Sequence, residues 1–367
     1  MRSLRKRHGL ILASGALILL FHLLSGRIKL MDALASGTLP LRQGLSRLCA
    51  LFPFSVAEIL CTLGVLAVLA WLVWTVVSVV KVRPRLLTFW KRLSLLLAVV
   101  LLLYLLLCVL LGASYRGSSF QDRSGLRATP QSVDTLREVT ALFAERLAAA
   151  SGEVPRNADG DFAVGQEEIF AAATDIYRGA ERRFPLLKLR DVTPKRALYS
   201  RLMSYFNYTG FYFPYTGEAT LNIDPPDALL PSTIAHEMAH QRGVASEQEA
   251  NFVAVLACTE SGNAAYEYSG WLFGYIHLAN ALYRWDADTY FALASRLPEA
   301  VWADLEANRA YWARFETKAA EVSDKVYDTM LKSYGQSMGV QSYGAVVDLL
   351  IAWYLEGGFQ GEGPITD

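Results

Sequence analysis

Residues 236–240 read His-Glu-Met-Ala-His, two imidazoles four positions apart with a carboxylate directly after the first. Four positions is close to one α-helical turn, so on a helix both imidazoles leave the same face. Two imidazoles on one face suit a divalent metal, and zinc takes nitrogen donors at about 2.0–2.1 Å. Glu237 leaves the helix at a different angle and is placed to reach a water rather than the ion. The implied chemistry is hydrolysis. Zinc brings the pKa of its water toward about 7, and Glu237 takes the proton and passes it to a leaving amine.

Catalytic zinc commonly has three protein ligands and one open position, so a further donor is required. Glu247 and Glu249 are the nearest candidates. Gly243 can end the first helix, and Ser246 can cap a second that begins at Glu247. On that helix Glu247 and Asn251 share a face. Glu247 is therefore the preferred third ligand, with Asn251 orienting a ligand or holding the two helices together. Glu249 points elsewhere and reads as solvated or helix-supporting. Arg242 can pair with Glu247 or Glu249 or bind a substrate carboxylate, and the structural role is preferred. A developing oxyanion needs a donor besides the metal. His277 is the remaining histidine in this half of the chain, but its setting SGWLFGYIHLANAL also reads as that of a core histidine. Tyr212, Tyr215 and Tyr343 are further donors.

These residues need elements to hold them. The run 208–223 is aromatic and β-branched with Thr216-Gly217 in its middle, and predicts a hairpin in which Pro214 confines one strand to an edge. Such an edge can pair with an extended peptide substrate, with Tyr212, Tyr215 and Gly217 as contacts; the alternative is a sheet that merely covers the core. Ser132 caps an amphipathic helix of about twenty residues. The run 164–184 carries a second helical pattern, ended by Pro185. From 230 onward the pattern is helical, punctuated by Gly262, Pro298 and the glycines of 335–339. The apolar run 345–354 is too short to span a membrane. The expected class is α+β, mostly α, with residues 116–130 as a linker and 131–367 as the domain bearing the motif.

The first part of the chain is different. Residues 1–112 hold 13 basic and 2 acidic residues, and 113–367 hold 22 and 33, so the zero net charge conceals +11 and −11. The acidic part carries no Lys/Arg stripe, which excludes nucleic acid as the expected partner. Residues 9–26, 59–80 and 93–115 contain no Asp, Glu, Lys or Arg and run to 18, 22 and 23 residues. About 20 apolar residues cross a bilayer, so three transmembrane helices are expected in 1–115, with a cleaved signal peptide as the alternative for the first. Basic residues crowd 1–8 and 81–92, which places the N-terminus in the cytoplasm and the C-terminal domain outside a multi-pass cell-membrane protein. Cys258 is the only cysteine beyond residue 108, so the outer domain has no internal disulfide and must rest on packing, to which a metal can add.

The motifs carry two resemblances. HEMAH followed by Glu247-Gln248-Glu249-Ala250-Asn251 resembles the glutamate-ligand zincin metallopeptidases. That likeness implies His236, His240 and Glu247 as zinc ligands, Glu237 as catalytic base and a peptide or protein substrate. The six-residue link from His240 to Glu247 is short for such enzymes. In histidine-ligand zincins the third ligand falls where Ser246 stands, a poor zinc ligand. The whole layout is closer to a bacterial membrane family catalogued as domain of unknown function 3810, through 209–222 (TGFYFPYTGEATLN), 236–243 (HEMAHQRG), 247–252 (EQEANF) and 339–350 (GVQSYGAVVDLL). It implies three spans followed by an outward-facing, zincin-like domain.

Overall fold

A computed structural model describes residues 2–129, 131–333 and 343–359. It divides into two compact units: residues 1–118 with 213–217, and residues 119–212 with 218–367.

The first unit contains helices α1 (Arg2–Leu24), α2 (Ile28–Cys49), α3 (Val56–Lys81), α4 (Arg85–Leu107) and, after a π-helical turn at Cys108–Gly112, α5 (Ala113–Arg116). Three stretches, Arg5–Leu24, Val56–Lys81 and Arg85–Arg116, are long and apolar enough to cross a membrane. Polar groups tie them together. Arg7 donates to the Lys91 carbonyl at 3.1 Å, and His22 Nε2 lies 3.1 Å from the Tyr104 hydroxyl. The Arg92 guanidinium sits 3.1 Å from the centre of the Trp74 ring. The outward leucines and valines of α1, α3 and α4 are exposed, an apolar surface consistent with membrane association.

The connection between the first two apolar stretches is itself helical, as α2. It is amphipathic, burying Met31, Arg42, Ser46 and Cys49, and it accommodates Pro40. The turn 213–217 belongs to this unit as well. Tyr215 donates to the Leu103 carbonyl at 2.9 Å. Gly217 has φ +70°, and a side chain there would overlap the Arg42 carbonyl.

The second unit is mostly helical around one small sheet. Its elements are α6 (Phe120–Ser124), α7 (Val133–Ser151), α8 (Gln166–Ala172), α9 (Arg178–Arg183), β1 (Lys195–Arg196), α10 (Ser200–Tyr205), β2 (Gly210–Phe213), β3 (Glu218–Leu221), α11 (Leu230–Gln241), α12 (Glu247–Thr259), α13 (Ala264–Trp285), α14 (Ala287–Ala294), α15 (Glu299–Ala313), α16 (Lys318–Ser333) and α17 (Tyr343–Leu355). Ser132 caps α7 as expected, accepting from the Thr135 amide. The pattern at 164–184 resolves into two short helices. The hairpin gains a third strand, in order β1-β3-β2, with Lys195 opposite Thr220 and Arg196 opposite Leu221 in a parallel pair. A two-residue strand leaves no alternation to read. β2 lies at one edge, and Pro214 falls in the turn after it.

The stretch 116–130 is not a free linker. Phe120 and Leu126 are buried in the core, and Ser119 with Asp122 forms a capping box at the start of α6. The apolar run 345–354 lies within α17, with Val346, Leu349 and Leu350 in the same core. Glycines 335 and 339 and the start of the 339–350 motif lie outside the described residues, as does the Tyr343 side chain.

Helix α13 runs through the middle, against α7, α11 and α12. Close approach requires its glycines: a Cβ on Gly274 would overlap the buried Phe143 ring. Overpacking of this kind costs about 1–3 kcal/mol, against about 1 kcal/mol gained by replacing a helical glycine with alanine. Gly274→Ala should therefore lower the thermal midpoint of the detergent-solubilised protein despite the better helix former; an unchanged or higher midpoint would show that the ring has room to move.

Candidate metal centre

Helix α11 opens with Pro231 in its first turn, where no amide hydrogen bond is lost, and buries Ile234, Ala235, Met238 and Ala239. This burial turns His236 and His240 toward the other side. The helix ends as the sequence predicts: Gly243 adopts φ +80°, and the Val244 amide returns to the Ala239 carbonyl at 3.2 Å. The reversal also brings the Val244 carbonyl to 2.8 Å from His240 Nδ1. A carbonyl only accepts, so Nδ1 carries the proton and Nε2 presents its lone pair. Ser246 stands at the start of α12 with extended backbone, but its side chain accepts no capping bond.

The three groups converge. His236 Nε2 and His240 Nε2 are 3.1 Å apart. The Glu247 carboxylate lies 3.2 Å from His236 Nε2 and 3.6 Å from His240 Nε2. Tetrahedral bonds of about 2.0–2.1 Å set neighbouring ligand atoms about 3.3–3.4 Å apart, so this donor set fits a zinc-sized ion. Electrostatics favour the same occupant. Burial opposes charge on His240, yet Glu247 overrides it and lifts the imidazole to about 9. Against its own burial, Glu247 is held well below the usual carboxylate range by His240 and His236. The triad is built around a positive charge.

Glu237 is buried beside the triad. Burial raises its carboxyl above the ordinary range, against the pull of His236 and His240. A Cβ at Gly210 would come within 2.8 Å of Glu237 Cγ and Oε1. The first residue of the edge strand is thus a glycine because the Glu237 side chain lies against it.

A family model described as Protein of unknown function (DUF3810) matches residues 39–351. The chain belongs to this family. No curated protein and no solved structure matches the chain. In this DUF3810 protein the 236–243 and 247–252 motifs build the triad, and the 209–222 motif supplies Gly210.

Several sequence readings shift. Arg242 does not pair with Glu247 or Glu249. Its buried guanidinium lies 2.7 Å from the Asp191 carboxylate and 3.3 Å from Glu181, and sits 3.5 Å from the centre of the Tyr177 ring. Glu249 is not solvated; its buried carboxylate accepts the Phe120 and Gln121 amides at 2.9 and 3.1 Å and anchors α6. Asn251 is buried one turn beyond Glu247. Among the described residues the Val244 carbonyl touches His240, and the Tyr327 hydroxyl donates to Glu247 Oε1 at 2.7 Å. No residue-type signal marks a carbonyl, and Tyr327 is one of 18 tyrosines. Tyr212 is half-buried in β2, whereas Tyr215 and Gly217 are accounted for by packing in the first unit.

His277 packs edge-on against Phe273 with ring centroids 4.7 Å apart. Burial first, and the neighbouring His236 second, push its imidazole down to about 4. It is therefore neutral at pH 7 in the folded protein. The unfolded chain takes up a proton near pH 6.5, so the stability present above that pH is lost as the pH falls toward 4, by about 3 kcal/mol from this group. His277→Gln should flatten the stability–pH curve between 6.5 and 4, as measured by denaturant unfolding; an unchanged slope would reject this account of His277.

Proposed function

We propose that this protein is a membrane-anchored, zinc-dependent metallopeptidase whose site resembles that of the glutamate-ligand zincins. The observation that carries the reading is the convergence of His236, His240 and Glu247, with separations of 3.1–3.6 Å, beside a buried carboxylate that is not among the ligands. Among the described residues the donors come together as a set of three. Three is the count of catalytic zinc sites, whereas structural ones usually close with four. That difference favours an enzyme over a binding or sensor module held together by zinc.

Zinc bound there supplies the Lewis acidity that makes water a nucleophile at neutral pH. The protein's own part is proton handling. Glu237 accepts the proton of the attacking water on its carboxylate and returns it to the amine nitrogen as the amide bond breaks. Its burial, which lifts its affinity for a proton, suits both halves of that exchange. The edge strand β2 begins beside this carboxylate and is the element best placed to align an extended peptide. His277, neutral and close enough to feel the charge of His236, is a candidate donor to the oxyanion. The distribution of basic residues puts the N-terminus in the cytoplasm and the catalytic unit outside.

Glu237→Gln should keep its zinc and lose turnover of an unfolded polypeptide by about 10²–10⁴-fold. Metal content and cleavage rate, measured on the same preparation, check this; undiminished cleavage would remove Glu237 from the reaction. If zinc is only structural, chelation unfolds the unit and this variant changes nothing. Gly210→Ala should lower turnover with zinc retained, because the methyl group displaces the base; full activity would show that the contact with Gly210 does not set its position.

A further inference from the structure

Helix α16 is lightly attached. Among its described side chains only Ala320 is buried, and Val322 and Val326 are 60% and 65% exposed. Its inner side nevertheless meets two parts of the metal centre. Toward the edge strand, Asp324 accepts from the Asn207 side-chain Nδ2 at 3.4 Å, and the Tyr327 ring stands edge-on to Tyr208 with centroids 6.1 Å apart. Asn207 has φ +61°, a left-handed conformation that asparagine tolerates, and it ends α10 three residues before Gly210. Toward the third ligand, the Tyr327 hydroxyl donates to Glu247 Oε1. One tyrosine thus joins the segment leading to the base and the carboxylate facing both imidazoles.

We infer that Tyr327 is a positioning residue for Glu247 and that, through it, metal binding latches helix α16 across the site. A carboxylate ligand turns about its last side-chain bond. A hydroxyl donating to one oxygen holds that rotation and fixes the direction in which the group offers its lone pairs to an ion. Glu247 Oε2 is then left to face His236 at 3.2 Å. The coupling runs both ways: if an ordered α16 improves metal affinity, bound metal must favour ordered α16 to the same degree. The inference rests on the metal assignment of the proposed function and not on its peptidase chemistry.

The test uses the full chain in detergent micelles. Tyr327→Phe keeps the ring against Tyr208 and removes only the hydroxyl. The dissociation constant for zinc, measured by chelator competition, should rise about 10- to 100-fold. Lys325 lies within α16 and offers a tryptic site. Zinc should slow cleavage after Lys325 in the wild type and fail to do so in Tyr327→Phe. An unchanged dissociation constant in the variant would overturn the role of Tyr327. Cleavage after Lys325 that is indifferent to zinc in the wild type would overturn the latch without recourse to any variant. A wild-type chain that takes up no zinc would overturn the metal assignment itself, and the latch with it.

Discussion

The site in the second unit is built on one unfavourable juxtaposition that a cation would resolve. Two imidazole nitrogens 3.1 Å apart aim at each other and at a carboxylate, all within a largely desolvated space. Their lone pairs repel unless a positive charge lies among them. A proton on His240 relieves this in part, and against burial the Glu247 carboxylate favours that proton. A divalent ion relieves it fully by satisfying all three donors at once. The surroundings prevent the alternative, in which the groups swing apart: Val244 holds the His240 ring, and Tyr327 holds Glu247.

That constraint explains the buried charges nearby. Arg242 follows His240 by two residues and has no water to relax into, so Asp191, Glu181 and the face of Tyr177 enclose it. Removing one partner of such a group leaves an uncompensated buried charge, costing about 3–5 kcal/mol. The cluster therefore fixes the end of α11 against α9 and the segment beyond it. Two residues after the third ligand, Glu249 does the same for α12 through two amides of α6. A separate network, in which Arg156 and the Tyr268 hydroxyl share Asp304, ties α13 to α15. Both ends of the short link between α11 and α12 are thus anchored, at Arg242 by carboxylates and at Glu249 by backbone amides.

Much of this is legible in the sequence where the information is local. The four-residue spacing of His236 and His240, the glycine at 243 and the differing faces of Glu247 and Glu249 follow from helix periodicity and turn chemistry alone. The three apolar spans follow from length and composition. What is not legible comes from elsewhere in the chain. Arg242 finds its acids 51 and 61 residues away, and Tyr327 reaches Glu247 across 80. The strand Lys195–Arg196 is too short to show a period. Helix α2 is hard to read because Pro40 and three basic residues interrupt its pattern, although its buried Met31, Arg42, Ser46 and Cys49 lie along one face. Glycine 210 stands in a quoted motif, but its reason appears only once Glu237 lies against it.

The positions of the ligands on their helices carry a further consequence. His240 occupies the last turn of α11, where unpaired carbonyls make the helix end partly negative. Glu247 is the first residue of α12, where free amides make the end partly positive and favour an ionised carboxylate. One helix end thus favours positive charge beside His240, and the other favours an ionised Glu247. The arrangement requires a chain reversal between the two ends, and Gly243 provides it without strain. A longer link would restore the freedom that the reversal removes. The shortness of the link, six residues between His240 and Glu247, is therefore what keeps the two helix ends facing one point.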